Sequence, residues 1–148
     1  MAEQGTREAE LVELGRSIVE RAQKAGADVA EASVQSGSHL STKVRMGEPE
    51  LVEEAGSRAL GLRVMIGQRV ASTFTSDLSA AGQQRLVEDA LELARLSEPD
   101  EFAGPPDPAE LSRPSQWTRL DTFDEAVDEI RAEQALAHAQ EAEKAAFD

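Results

Sequence analysis

The sequence predicts an α+β fold. In it, an antiparallel meander of about five strands carries two helices on one face, in two layers, followed by a proline-rich connector and a C-terminal helix. Three observations predict it. Two segments repeat apolar residues at three- and four-residue steps, one at the start of residues 1–96 and one at the end. Between them, apolar and polar residues alternate at period two. The joins between the alternating segments are short and contain glycine, which suits hairpins, whereas parallel crossovers need a dozen or more residues.

From Arg7 to Ala25, the residues Leu11, Leu14, Ile18 and Ala22 line one face of an amphipathic helix, and Gly26 is its natural stop. A strand follows in "ADVAEASVQS", with Ala30, Ala32 and Val34 on one face and a tight turn expected at Gly37-Ser38. In "HLSTKVRMG", Leu40, Thr42, Val44 and Met46 face one way, and "GEPE" (Gly47 to Glu50) reads as the next turn. "LVEEAGS" gives a short polar strand on which Pro49 is restricted to the start or to an edge.

The stretch "LGLRVMIGQRVASTFTSDLS" has the clearest pattern. Leu60, Leu62, Val64 and Ile66 alternate with Gly61, Arg63, Met65 and Gly67. Gly67-Gln68 puts glycine first in a two-residue connection, as a type II′ turn prefers. Val70, Ser72 and Phe74 then belong to a return strand ending at Thr75, and Ser76, Asp77 and Ser79 can each cap a helix. That helix has Leu86, Ala90, Leu93 and Ala94 towards the core, and Gly82 is expected to weaken its first turn by roughly 1 kcal/mol relative to alanine.

These elements make residues 1–96 the N-terminal domain. Residues 97–120 form an acidic connector holding five of the six prolines, at 99, 105, 106, 108 and 114. Residues 121–148 are the C-terminal helix, capped by a Thr122/Glu125 box, with an apolar face of Phe123, Val127, Ile130 and then mostly alanine. So thin a face calls for a partner surface, on a missing domain or another subunit. The helix reaches Asp148 without a C-cap, as though interrupted.

Net charge is −14, with 15 acidic and 11 basic groups in residues 1–96 but 14 acidic and 4 basic in 97–148. Such a surface repels phosphate and disfavours direct binding to nucleic acid or anionic membranes. The absence of cysteine excludes disulfides, thiolate ligands and a cysteine nucleophile, and fits a reducing cytoplasm. No apolar run approaches the roughly 20 residues that span a bilayer, and the first residues have no signal-peptide core.

Catalytic, cofactor-binding and metal-ligating residues are each expected to be none. His39 and His138 read as surface residues, and "HAQE" (His138 to Glu141) lacks the second histidine of a zinc helix. Glu53 and Glu54 point to opposite faces of a strand and cannot act as a carboxylate pair. The glycines of "AGSRALGLRVMIG" match no phosphate loop, so Gly61 reads as a bulge or a close backbone approach. Ser72 and Ser76 have no histidine nearby in sequence. Arg63 either snorkels at the sheet edge or pairs with a carboxylate at an interface, and Trp117 reads as a docking anchor.

"AGADVAEASVQSG", the Leu60–Ser79 stretch and "LVEDALELARLSEPDEFAGPPDP", in that order, resemble the N-terminal domain of the TldD/PmbA metallopeptidase family, once labelled modulators of DNA gyrase. The most specific pieces are Gly61-Leu62-Arg63-Val64, Thr75-Ser76-Asp77-Leu78-Ser79 and Glu98-Pro99-Asp100. The resemblance implies a cytoplasmic, non-catalytic domain that helps to form a heterodimer around a zinc peptidase site. In the family that site is an HExxxH motif with a later cysteine, outside the region represented here. It implies no cofactor in this chain, and a peptide substrate only in the full assembly. A stand-alone interaction module and an acidic regulator of a topoisomerase are the alternatives.

Overall fold

The computed structural model describes residues 2–118, 120, 122 and 124–147. Its elements are α1 (Ala2–Lys24), β1 (Val29–Arg45), β2 (Glu48–Ile66), β3 (Arg69–Thr75), α2 (Ala80–Leu96), α3 (Glu125–Asp128) and α4 (Ala132–Phe147). The protein is α+β, with a sheet of order β1-β2-β3. Two compact units are present: residues 1–36 with 57–111, and residues 37–56 with 112–148.

The sheet has three strands rather than five. β1 runs through Gly37-Ser38 and β2 runs through Gly56 without turning. The reason is one of phase: Ala30, Ala32 and Val34 share even parity with Leu40, Thr42 and Val44, so one alternation continues across the glycine. The join between β1 and β2 is not "GEPE" either. It is Met46-Gly47, at φ 55 and 80, so both central residues are left-handed, as a type I′ turn requires. Met46 therefore sits at the tip, 81% exposed, instead of facing inward with Val44. Pro49 stands at the second position of β2, where β3 does not reach.

The first unit is organised by the hairpin of β2 and β3, which pair in unbroken register from Leu60↔Thr75 to Ile66↔Arg69. Gly67 lies at φ 59 while Gln68 does not have positive φ, the pattern of a II′ turn. Leu60, Leu62 and Val64 project from one face into a core shared with Ile18 and Ala22 of α1 and Leu86, Val87, Ala90, Leu91 and Ala94 of α2. Ile18, Leu60, Leu62 and Val64 are fully buried, and such side chains stabilise a fold by about 1.5–3 kcal/mol each. Leu93, expected in the core, is half-exposed: the buried stripe runs through Val87, Leu91 and Ala94, which places Leu93 on its flank.

Gly26, at φ 111, ends α1 in a Schellman motif: its N–H donates to Gln23 O and that of Ala27 to Ala22 O. Ser79 caps α2, accepting the Gly82 N–H at 3.1 Å. At the other end, the Arg69 guanidinium donates to the carbonyls of Arg95 and Ser97, placing a cation on the negative end of the helix dipole.

The second unit contains the β1–β2 ribbon over residues 37–56 and the C-terminal segment. The expected continuous helix is divided. Asp124, not Thr122, is the first cap, its carboxylate accepting the Ala126 N–H, and α3 is a single turn. α4 then starts afresh, with the Gln134 side chain reaching back to the Arg131 N–H at 2.9 Å. Phe123 and Asp148 lie outside the described residues.

Gly82 reverses its expected effect. A Cβ there would press on the Asp77 carbonyl oxygen and stand 2.7 Å from Asp77 Oδ2, so the first turn of α2 needs glycine. Gly82→Ala is expected to destabilise by about 1–3 kcal/mol, as overpacking does. Thermal melting checks it: the variant melts several degrees below the parent, whereas helix propensity alone predicts an increase.

Candidate functional site

The residues singled out in the Leu60–Ser79 stretch meet on the sheet face opposite the helices. Alternation puts Gly61, Arg63 and Met65 there on β2, across from Phe74, Ser72 and Val70 of β3. Gly61 is a close approach rather than a bulge, because the register is continuous and a Cβ at this position would lie 2.6 Å from Ser33 Oγ on β1. Arg63 pairs with Glu31 of β1 at 3.0 Å, both somewhat under half exposed. It is therefore a cross-strand ion pair within the chain. Phe74, paired in register with Gly61, is 81% exposed, an aromatic on the same face as the Arg63–Glu31 pair.

A second feature of the first unit is a shallow apolar groove between α1 and β1. Leu11, Val12, Gly15 and Val19 line it from the helix, Ala32 and Val34 from the strand, and Arg16 at its margin. Gly15 allows the close packing, with Val34 Cγ2 3.4 Å from where its Cβ would be.

The turn into α2 carries the clearest local electrostatics. Asp77 Oδ1 accepts the Ser79 N–H at 2.9 Å, and the Asp77 N–H donates to Thr75 Oγ1 at 3.0 Å. The Ser79 side chain and backbone, and then the Arg85 charge, hold the Asp77 carboxyl below its ordinary value. In the second unit, Lys43 and then Arg45 do the same for Glu50, with Lys43 Nζ 2.7 Å from its carboxylate.

His39 and His138 are both exposed. Among the described residues no three His, Cys, Asp or Glu side chains gather as metal ligands, and no polar or charged side chain is buried. Glu53 and Glu54 are exposed on β2, Ser72 is exposed opposite Arg63, and Ser76 lies in the exposed turn before α2. Trp117 is 65% exposed and donates from Nε1 to Ser112 Oγ at 3.0 Å. What the sequence does not signal locally is Glu143: its carboxylate accepts the N–H groups of Met46 and Gly47, 97 and 96 positions away. Among the described residues, no helix is long and apolar enough to cross a membrane.

Comparison with known proteins agrees with this architecture. The family model described as PmbA/TldA metallopeptidase domain 1 matches residues 30–94. Metalloprotease PmbA of Escherichia coli O157:H7 is 34% identical over 143 residues, covering 92% of this chain and 31% of the relative. The metalloprotease PmbA homolog of Haemophilus influenzae is 41% identical over 97 residues, 66% of this chain and 21% of the relative. The chain thus spans under a third of the length of these relatives. Two solved structures share the fold. A candidate modulator of DNA gyrase from Bacteroides thetaiotaomicron has a TM-score of 0.78 at 19% identity, over 89% of this chain and 30% of the other. TldE from Thermococcus kodakarensis has 0.68 at 15%, over 81% and 26%.

The low pKa of Asp77 has a consequence for stability. A carboxyl held below its unfolded value stabilises the fold above that value, and the contribution disappears as pH falls through the folded one. Asp77→Asn should therefore lower the melting temperature at neutral pH. The gap from the parent should close as pH falls below about 4, the ordinary carboxylate range. A melting series from neutral to acid pH checks it; a gap constant with pH would exclude the charge as its source.

Proposed function

The chain belongs to the TldD/PmbA family, whose first domain it carries, and we propose that it is a non-catalytic N-terminal part of a metallopeptidase subunit. In this reading it shapes the assembly, a heterodimer, around a zinc peptidase site supplied by polypeptide outside these 148 residues. The connector read over 97–120, and a C-terminal segment beyond it that meets a missing domain or partner subunit, belong to the same proposal. So do the cytoplasmic location, the protein partner and the peptide substrate of the full assembly.

One observation carries the reading: the residues present do not fit a zinc site. Zinc needs three or four ligands from Cys, His, Asp or Glu converging within about 2.0–2.3 Å of the metal. The chain has no cysteine, its two histidines are exposed, and no such group converges among the described residues. No catalytic step is routed through this domain.

A second reading, an acidic regulator of a DNA topoisomerase, draws on the net charge of −14 and on the description of the Bacteroides structure as a candidate modulator of DNA gyrase. Charge of this sign argues for contact with a basic protein surface rather than with DNA.

After dialysis, the protein is expected to retain well under one zinc per chain by elemental analysis and to cleave no unfolded peptide. One tightly held zinc per chain, or peptide cleavage lost on chelation, would remove the non-catalytic reading. A supercoiling assay at moderate salt separates the second reading, since inhibition by the added chain alone is expected only of a topoisomerase regulator.

A further inference from the structure

The second unit holds Met46 in a left-handed conformation, which L side chains other than Asn and Asp rarely adopt. Such a residue persists only where its surroundings over-determine it. Met46 gains nothing from burial, because its side chain is 81% exposed. The determinant lies in the backbone. With Met46 and Gly47 both at positive φ in the turn, their two successive N–H groups are free to donate side by side to one anion. Glu143 of α4 fills it: Oε1 accepts from Met46 at 2.7 Å and Oε2 from Gly47 at 2.6 Å.

The same helix has two further polar attachments to the ribbon. Gln140 donates to the Gly47 carbonyl at 3.0 Å, and the Thr42 hydroxyl donates to the Ala135 carbonyl at 3.2 Å. Apolar attachment is meagre. The half-buried side chains of α4 are Ala132, Ala135, Leu136, Ala139 and Glu143, and none is fully buried. An alanine stripe removes little apolar area from water, at about 25 cal/mol per Å². Polar contacts centred on one carboxylate therefore do what a hydrophobic seam does elsewhere.

We propose that Glu143 is a clasp joining two elements into one switchable part: it locks the hairpin tip in its left-handed turn and, through the same bonds, straps α4 to the ribbon. Tip and strap then open together. Closed, the strap covers the ribbon side that carries Leu40, Thr42 and Val44; open, it uncovers that side and lets Met46 relax to an ordinary conformation. Any contact that takes the Glu143 carboxylate away from the turn releases both. The clasp acts within the second unit and does not depend on the peptidase reading.

The test is amide hydrogen exchange on the full chain, comparing the parent with Glu143→Ala and with the isosteric, uncharged Glu143→Gln. In Glu143→Ala, the amides of Met46 and Gly47 and those across α4 are expected to exchange at least tenfold faster. Glu143→Gln, which keeps a single acceptor, should lie between, and the amides of β3 and α2 should keep their parental rates as internal controls. Acceleration at Met46 and Gly47 with α4 unchanged, or no acceleration at either, overturns the proposal. A second measurement covers the case in which exchange in α4 is too fast to resolve. Met46→Gly relieves the strained conformation and should raise the parent's melting temperature, but that gain should shrink in the Glu143→Ala background, where the turn has already relaxed. An equal gain in both backgrounds would mean that the hairpin alone dictates the turn, and the clasp would be disproved.

Discussion

Leu60, Leu62 and Val64 stand on one face of β2 and enter a single apolar volume, and the rest of the first unit is arranged to close it. Both helices close it: α1 supplies Ile18 and Ala22, and α2 supplies Leu86, Val87, Ala90, Leu91 and Ala94. Small residues set the spacing: Ala22, Ala90 and Ala94 are wholly buried, and Gly15 lets α1 settle against Val34. The polar contacts are then placed at the ends of these elements. Asp28 accepts the Gly67 N–H at 2.6 Å, tying the exit of α1 to the β2–β3 turn. Arg21 reaches Gln83 and Gln84 at 3.0 and 2.8 Å, tying it to the start of α2. Each contact fixes a chain direction and leaves the core free of polar atoms.

Most of this was legible because it is local. The Gly26 stop, the Gly67 turn and the Ser79 cap are written within a few residues of where they act, and so is the alternation around Leu60. The misreadings have a common cause in longer range. Glycine at 37 suggests a turn, yet the alternation of β1 stays in phase across it, and phase is the stronger signal. Met46-Gly47 is not a favoured type I′ pair, and what stabilises it lies 96 positions away in Glu143. Gly82 looked like a weak point of a helix because the sequence does not tell that Asp77 folds back over that position. The division between α3 and α4 does carry a local signal, the spacing of Arg131 and Gln134.

The candidate site was legible in a different sense. The missing cysteine and the spacing of the two histidines argue against a zinc centre, and order along the chain points to the family, but neither indicates which surface matters. Arg63 illustrates the limit. Its place in a period-two pattern marks it as unusual, and only the pairing of strands reveals that Glu31 answers it across the sheet. Phe74 is similar: a strand position predicts which face it takes, not that its side chain stays 81% exposed there.

Catalytic groups are usually made reactive by being drawn out of water, where burial and neighbouring charges shift their protonation. This chain is built the opposite way. Among the described residues no charged side chain is buried, and the ion pairs lie at the surface, where solvent and salt screen them. The two displaced carboxyls, Asp77 and Glu50, are lowered by hydrogen bonds that hold a turn and a strand pair, so both are fixed in the charged form rather than poised to exchange a proton. Charge here sets geometry: it ends helices, fastens turns and keeps the surface solvated. Within the first unit that distribution leaves an aromatic and an apolar groove exposed on elements whose ends are fastened by charge, and within the second it leaves a ribbon held by polar bonds.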